Sequence, residues 1–410
     1  MPTETVEVRG HIIESLLLPK ILDTILEAGC DYQVEDFRIG RTSRDPSVAV
    51  IRIDAPDEPV LRRLVENLHV HGANLLHAGD ALVEPAPADG VLPAGFYATT
   101  NLPTEVRLTG RWVPVESPEM DCAIVVEEGS ARTVPMHRVR KGDPVVVGNR
   151  GVRVQVPRQR ASGSVFAFMD SDVSPEKPKG HQVAYVADRM ARARAAGAGI
   201  LVVAGPAVVH TGGAPALERM VEGGWVDVLF TGNGFATHDI EAAVFGTSLG
   251  VSIAKGEPVD AGHSNHLRVI NEIRRHGSIE AAVRAGYVTR GVMAACVRGG
   301  VPFVIAGSIR DDGPLPDTIT DVVTAADVMR RHVRCIGVAL VLASTLHGIA
   351  TGNLLPATVE TFCVDMSPAV ATKLADRGSH QALGIVTDVA PFLDDLVSLL
   401  DARRASPGSR

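Results

Sequence analysis

Six short apolar runs in the second half of the chain restrict its fold more than any other feature. The runs are too short for buried helices, and several are rich in valine. A strand that is covered on both faces needs this continuous, rather than alternating, hydrophobicity. Helical stretches lie between the runs, which predicts a parallel, doubly wound sheet with right-handed crossovers over residues 161–410. The runs are GILVVAG (199–205), VDVLFTG (226–232), VPFVIAG (301–307), CIGVALVLAS (335–344), VETFCVD (359–365) and LGIVTD (383–388).

The first 92 residues alternate between the periodicities of strands and helices. Their order, β-α-β-β-α, predicts a small ferredoxin-like α+β module. Gly29 is the expected end of the first helix, and the Pro- and Gly-rich stretch from Pro85 to Pro93 predicts a linker. The segments are VEVRGHII (6–13), LLPKILDTILEAG (17–29), DYQVEDFRIG (31–40), SVAVIRIDA (47–55) and EPVLRRLVENLHVHG (58–72).

Residues 93–160 contain short strand-like pieces separated by Gly and Pro, and we expect a β-rich region there. The whole chain is therefore predicted to be an α/β protein in three parts, with boundaries at residues 92 and 160. The pieces are EVRLTGRWVPV (105–115), DCAIVVEE (121–128), DPVVVG (143–148) and VRVQVP (152–157).

Composition excludes several classes of function. The net charge of −8 argues against general nucleic-acid binding. No stretch approaches the roughly 20 apolar residues of a membrane helix, and the N-terminus lacks the pattern of a secretory signal. The five cysteines are scattered and form no Cys-x-x-Cys pair, which is typical of a protein in a reducing cytoplasm.

Polar residues follow the predicted strands at the edge where a parallel sheet binds ligands. Gly232 and Gly234 allow close approach of a ligand, and Asn233 can both donate and accept hydrogen bonds. Residues 344–347 lead into a helix N-terminus that suits pyrophosphate, and Asp365 suits a ribose diol. Each feature alone is also explained by a plain turn or a helix cap. Since no Gly-x-Gly-x-x-Gly follows a strand, the residues predict a nucleotide-type ligand without the usual fingerprint.

Several segments resemble the archaeal-type ornithine cyclodeaminase family, which also forms the C-terminal part of cyanobacterial bifunctional arginine dihydrolases. The N-terminal hundred residues are similar to a conserved region named after lysine-ketoglutarate reductase/saccharopine dehydrogenase (LOR/SDH) proteins. The segments are MDCAIVVEE (120–128), AGPAVVHTGG (204–213), TGNGFATHDIE (231–241), GHSNHLRVIN (262–271), AGSIRDDGPLPD (306–317), LHGIATGN (346–353) and CVDMSPAVATKLADRGS (363–379).

The resemblance implies a deoxyhypusine-synthase-like NAD-binding fold for the C-terminal domain, and an enzyme that converts ornithine to proline with loss of ammonia. Bound NAD would take a hydride from Cα and return it after ring closure. The implied NAD contacts are Asn233, Gly234, Asp312, Ser344, Thr345, Leu346, His347, Asp365, Met366, Asp388 and Val389.

Two groups of residues are candidates for proton transfer. His263 and His266 are three positions apart, on one face if they are helical. They lack an obvious third metal ligand, so we predict no metal site. The second group is Asp121 and Cys122, with Glu127 close in sequence.

Two other functions remain open at this stage. A deoxyhypusine-synthase-like aminobutyl transferase would need a lysine, for which Lys255 and Lys373 are candidates. A non-enzymatic regulator would use the ferredoxin-like module to sense an amino acid. The favoured expectation is a cytoplasmic, homo-oligomeric enzyme of arginine and ornithine metabolism and proline biosynthesis, with no nucleic-acid or membrane partner.

Overall fold

The chain forms two compact units, Met1–Asp170 with Leu355–Thr358, and Ser171–Leu354 with Val359–Arg410. The predicted boundaries at residues 92 and 160 stay predictions. The computed structural model describes the chain except for residues 1, 11, 14–16, 41–44, 46, 70, 77–78, 156–178, 253–256, 258–263, 312, 371–372, 374–381 and 406–410.

The first unit begins with a four-stranded antiparallel sheet in the order β2-β3-β1-β4, covered by two helices. This order confirms the ferredoxin-like prediction. Helix α1 buries Leu17, Ile21 and Ile25, which recur at helical spacing, and Gly29 follows it with φ +71°. The elements are β1 (Thr3–Gly10), α1 (Leu17–Glu27), β2 (Asp31–Arg38), β3 (Ser47–Asp54), α2 (Glu58–His69) and β4 (Ala73–Leu75).

A seven-stranded sheet follows in the same unit, in the order β11-β6-β7-β9-β8-β10-β5. It confirms the β-rich prediction. β5 is the last strand in this order. The N–H of Ala81, just before β5, donates to the carbonyl of Arg107 in β6, which is next to the first strand. The strands are β5 (Leu82–Pro85), β6 (Thr104–Leu108), β7 (Arg111–Glu116), β8 (Ala123–Glu127), β9 (Ser130–Val134), β10 (Pro144–Val147) and β11 (Val152–Val154).

The stretch from Pro85 to Pro93 is not a linker, and that prediction is wrong. The N–H of Ala86 donates to the carbonyl of Asp143, and the N–H of Gly90 donates to that of Val139. Pro85 lies in β5 opposite Pro144 of β10, so composition typical of a linker is compatible with a paired segment.

The second unit contains a seven-stranded, fully parallel sheet in the order β17-β16-β13-β12-β18-β19-β20. The six predicted apolar runs coincide with six of these strands, with Ala382 of β20 lying one residue before its run, and β17 is a short addition at the edge. Ile200 and Leu201 point to opposite faces and are both fully buried, as continuous hydrophobicity predicts. The strands are β12 (Gly199–Ala204), β13 (Val228–Gly232), β16 (Phe303–Ala306), β17 (Thr318–Ile319), β18 (Ile336–Leu342), β19 (Glu360–Asp365) and β20 (Ala382–Val386).

Helices cover both faces of this sheet, and a small hairpin of β14 (Thr247–Ser248) and β15 (Val251–Ser252) follows α6. No helix in the described part of the chain is long and apolar enough to cross a membrane. The helices are α3 (Lys179–Ala195), α4 (Ala207–His210), α5 (Ala214–Glu222), α6 (Asn233–Phe245), α7 (Asn265–His276), α8 (Ile279–Arg284), α9 (Val292–Gly299), α10 (Val322–His332), α11 (Leu346–Leu354) and α12 (Val389–Ala405).

Candidate functional site

The strand order reverses between β12 and β18, and the carboxyl ends of these two neighbours mark the crevice where such sheets bind ligands. The N–H of Gly205 donates to the carbonyl of Leu342 at 2.9 Å, and the N–H of Ala343 donates to that of Val364 at 2.9 Å. Ala343 has φ +46°, a left-handed conformation that is costly for a residue with a Cβ. The neighbouring strands therefore hold a strained turn at the switch point.

The turn after Ala343 opens directly into α11. Ser344 is buried, whereas Thr345 is exposed and Leu346 is 68% exposed. The N–H of Ile349 donates to the carbonyl of Thr345, but the three N–H groups before it have no acceptor among the described residues. The start of α11 thus presents free donors at the switch point.

His347 lies against the end of β13. Its Nε2 is 3.3 Å from the carbonyl oxygen of Ala306, and a Cβ on Gly232 would lie 2.7 Å from its Cε1. Gly232 is therefore needed because the imidazole occupies the space of a side chain. Burial lowers the pKa of His347, although the Ala306 carbonyl and Asp311 act in the opposite direction. A neutral ring that donates from Nε2 keeps Nδ1 as an acceptor.

Asn233 is buried, and its carbonyl oxygen already serves the fold. Oδ1 accepts from the N–H of Leu315 at 2.9 Å and from Oγ1 of Thr318 at 3.2 Å. The side chain thereby holds the segment between β16 and β17. Its Nδ2 has no hydrogen-bond partner among the described residues, so only that group is free to serve a ligand.

Two predicted carboxylates lie at the ends of the last strands. Asp365 ends β19 and accepts from the N–H of Ser367 through Oδ1 at 2.7 Å. Asp388 accepts from the N–H of Ala390 at 3.1 Å, at the start of α12. Both residues cap the following segment and both are partly exposed. Met366 is 70% exposed beside Asp365, whereas the side chain of Val389 lies in the core, where it is 3% exposed.

The structure adds a row of three histidines that the sequence analysis missed. The ring centroids of His210 and His238 are 4.8 Å apart, and those of His238 and His266 are 6.3 Å apart. Of these, only His266 was predicted. The sequence did contain a signal for the other two histidines. His210 follows the end of β12, and His238 follows the end of β13, at the same distance along the chain.

A buried carboxylate holds the centre of this row. His238 Nδ1 is 2.8 Å from Oε2 of Glu241, which has no exposed surface. Oε1 of Glu241 accepts from Oγ1 of Thr247 at 2.8 Å and from the N–H of Gly250 at 3.3 Å. We call His210, His238, His266 and Glu241 the histidine row. Among the described residues, no group of three or more His, Cys, Asp or Glu side chains has an arrangement that could hold a metal ion.

The other predicted site residues lie elsewhere or outside the described residues. His263, Asp312 and Lys255 belong to the residues that the structure does not describe. In the first unit, Asp121 is exposed in a turn with φ +61°. Glu127 ends the strand that begins after Cys122, so it does not join the predicted group.

Cys122 has the contacts of a packing residue. It is 2% exposed, and its thiol donates to the carbonyl of Met120 at 3.6 Å. Its N–H donates to Oγ1 of Thr99 at 2.9 Å. Burial shields the sulfur from a substrate, so the structure gives a catalytic cysteine no support. The catalytic assignment of Asp121 stays a prediction.

A cavity of about 310 Å³ opens at the opposite, amino edge of the parallel sheet. Arg194, Asp227, His332 and Cys335 are among its lining residues. Arg194 is already paired with Asp227 at 2.8 Å. This cavity therefore lies away from the strand ends that carry the candidate site.

Three family models match successive parts of the chain. Residues 3–102 match the LOR/SDH bifunctional enzyme conserved region, and residues 103–183 match the first region of the arginine dihydrolase ArgZ-like C-terminal part. Residues 184–396 match the Rossmann fold of that C-terminal part. An ornithine cyclodeaminase of Methanopyrus kandleri is 52% identical over 400 residues, which cover 97% of each chain. The chain belongs to the archaeal-type ornithine cyclodeaminase family.

Solved structures of similar proteins agree with this family. A conserved LOR/SDH protein of Methanococcus maripaludis is 46% identical, with a TM-score of 0.76, over 80% of this chain and 99% of that one. The ternary complex of AgrE with ornithine and NAD⁺ is 40% identical, with a TM-score of 0.54, over 98% of this chain and 58% of that longer one. The resemblance predicted from the sequence is confirmed.

Proposed function

We propose that this protein is an NAD-dependent ornithine cyclodeaminase that converts L-ornithine to L-proline and ammonia. The observation that carries the proposal is the 52% identity to a relative of that name over 97% of both chains. A similar protein forms a ternary complex with ornithine and NAD⁺. The Rossmann-type edge described above is where an enzyme of this kind binds its dinucleotide.

The residues at the switch point fit NAD. The free N–H groups at the start of α11 suit a pyrophosphate, and the second carboxylate oxygen of Asp365 is available to a ribose diol. Asn233 offers Nδ2, and Val389 offers its backbone because its side chain is in the core. The proposed contacts are Asn233, Gly234, Asp312, Ser344, Thr345, Leu346, His347, Asp365, Met366, Asp388 and Val389.

When bound, NAD accepts a hydride from Cα of ornithine and returns it after ring closure. The chain itself must hold the amino acid, exclude water and move protons. Proton transfer is essential, since both nitrogens of ornithine are protonated near neutral pH and neither can react in that form. The protein therefore needs an acid–base group beside the switch point.

The two alternative functions find less support. A transferase would need a lysine at the site, and Lys373 is exposed beyond β19, while Lys255 is not among the described residues. A pure sensor is disfavoured because the full-length relatives carry the name of an enzyme.

We also propose a cytoplasmic enzyme of arginine and ornithine metabolism and proline biosynthesis, which works as a homo-oligomer without nucleic-acid or membrane partners. The five cysteines are all free, which supports a reducing compartment. The net charge of −8 supports the exclusion of nucleic acid.

The test is incubation of the purified protein with L-ornithine, with and without added NAD, followed by measurement of proline and ammonia. We expect equal amounts of the two products. L-lysine and L-arginine serve as controls for substrate selectivity. Absence of proline from ornithine under all cofactor conditions would refute the proposed activity.

A further inference from the structure

The histidine row lies one helical turn beyond the carboxyl ends of β12 and β13. A Cβ on Gly234 would be 3.2 Å from Cγ of Pro206, so the start of α6 packs closely on the start of α4. The N–H of His210 donates to the carbonyl of Pro206, and His238 follows Gly234 at the same interval along α6. The packing of α6 on α4 thus extends from the strand ends to the His210–His238 contact, about 5.4 Å further along the two helices.

The hydrogen bonds of Glu241 fix the orientation of His238. A carboxylate can only accept, so Nδ1 of His238 carries a hydrogen, and in the neutral ring Nε2 keeps its lone pair. The side chain of His238 is 13% exposed, and its Nε2 has no hydrogen bond to a described residue. The arrangement therefore presents an oriented proton acceptor.

The polar network around Glu241 reaches three neighbouring elements. Oγ1 of Thr247 donates to Glu241. The same hydroxyl accepts from Nδ2 of Asn265, at the start of α7, at 2.9 Å. Ser248 Oγ lies 2.6 Å from Nδ1 of His210. Such a fully buried carboxylate adds little stability compared with well-packed apolar residues. Its bond to Nδ1 of His238 gives this carboxylate a role in orienting the imidazole as well as in packing.

The surroundings of the row keep His210 neutral and Glu241 charged. Burial and the neighbouring His238 lower the pKa of His210, while Glu241 opposes this shift. Burial acts to raise the pKa of Glu241, but the bonds from His238, Thr247 and Gly250 outweigh it and the pKa is lowered. His210 of α4 and His266 of α7 lie beside His238 of α6. Arg290 donates to the carbonyls of Ala242 and Ala243 near the C-terminal end of α6.

We propose that His238, positioned by Glu241 and flanked by His210 and His266, is the proton-transfer residue for the nitrogens of ornithine. This inference rests on the proposed function. The α-ammonium must lose a proton before Cα gives up hydride, and the δ-ammonium must lose one before its nitrogen attacks Cα. The Cα–N bond to the old α-nitrogen then breaks, the hydride returns to Cα of the cyclic imine, and the two protons return to the departing ammonia and to proline. The row therefore ends each turnover in its starting protonation state.

The experiment compares His238→Gln and Glu241→Gln with His276→Gln, a control at the end of α7 outside the row. For His238→Gln we expect kcat to fall about 100-fold, with KM for ornithine and the NAD dissociation constant from calorimetry nearly unchanged. Added imidazole should restore part of the activity of His238→Ala, which a packing role does not predict. Glu241→Gln removes the negative charge beside the imidazole, so the acidic limb of the kcat–pH profile should move to lower pH.

The outcomes separate this inference from the proposed function. If the wild-type protein makes proline but His238→Gln keeps its kcat, the role of the row is refuted and the proposed function stands. If the His238 variants do not fold, an unchanged pH profile in Glu241→Gln refutes the role, and a shifted one supports it. If the wild-type protein makes no proline from ornithine, both proposals fail.

Discussion

A Cβ atom on Gly205 would lie 1.9 Å from the carbonyl oxygen of Ala343. Glycine is therefore required at the end of β12 because the left-handed turn at the end of β18 occupies the adjacent space. The two residues lie at the switch point of the parallel sheet, where the free N–H groups of α11 begin. The shape of this crevice depends on their close approach.

The first prediction is that Gly205→Ala displaces the turn at Ala343. The clash involves backbone, so neighbouring atoms cannot rotate away, and we expect a loss of about 1–3 kcal/mol in the free energy of unfolding. NAD affinity should fall in the protein that remains folded. Gly180→Ala is the matched control, since a Cβ there meets nothing within 4 Å. Denaturant unfolding and calorimetry provide the measurements, and equal behaviour of the two variants would contradict the prediction.

A second prediction concerns the charge of Asp365. Asp365→Asn keeps an oxygen for the N–H of Ser367 but removes the charged acceptor for a ribose diol. Losing such a bond costs about 1.5–3 kcal/mol of binding, which is roughly a ten- to hundredfold weaker NAD affinity. Asp321→Asn, at the cap of α10, is the control and should bind NAD normally. Normal NAD affinity in Asp365→Asn would remove this residue from the site.

The third prediction is a pH effect on stability from His69. Burial lowers the pKa of this histidine from 6.5 to about 4, although a backbone hydrogen bond at Ala73 opposes the shift. Its Nε2 lies 3.1 Å from the hydroxyl of Tyr97. Between pH 6.5 and 4 the unfolded chain binds the proton and the folded chain does not, so stability is present above pH 6.5 and is lost as pH falls.

The size of this effect is about 1.4 kcal/mol per pH unit, up to about 3 kcal/mol at the acid end of the window. In His69→Gln, which can still bond Tyr97 but cannot titrate, the slope of stability against pH should be shallower by this amount. His137→Gln, at an exposed position, is the control and should retain the slope. Urea unfolding at a series of pH values measures it, and an unchanged slope in His69→Gln would disprove the assignment.

The fourth prediction follows the atoms of ornithine. If Cα is oxidised, the α-nitrogen leaves and the δ-nitrogen becomes the ring nitrogen. Ornithine with heavy nitrogen only at the α-position should therefore release labelled ammonia and give unlabelled proline. Deuterium at Cα should be recovered at Cα of proline, because a hydride held by NAD does not exchange with water. Labelled proline would overturn the Cα assignment, and complete loss of deuterium would refute transient hydride transfer.

The sequence predicted local structure well because the periodicity of apolar residues reports burial directly. The continuous run GILVVAG became β12, buried on both faces, and the alternating segments of the first 92 residues became the ferredoxin-like strands. Chain order also located the strand ends, so the predicted region around Ser344–His347 lies at the switch point as expected.

The amino-acid sequence was enough to predict the elements, the parallel sheet, the edge that carries the site and the family. Which side chains meet could be seen only in the folded protein. It brought His210, His238 and Glu241 together through the packing of α4 on α6, separated Glu127 from Cys122 along β8, and used the carbonyl of Asn233 for the fold. The physical reason is that periodicity fixes the buried face of one element, whereas contact between side chains depends on how two elements pack, which distant residues decide.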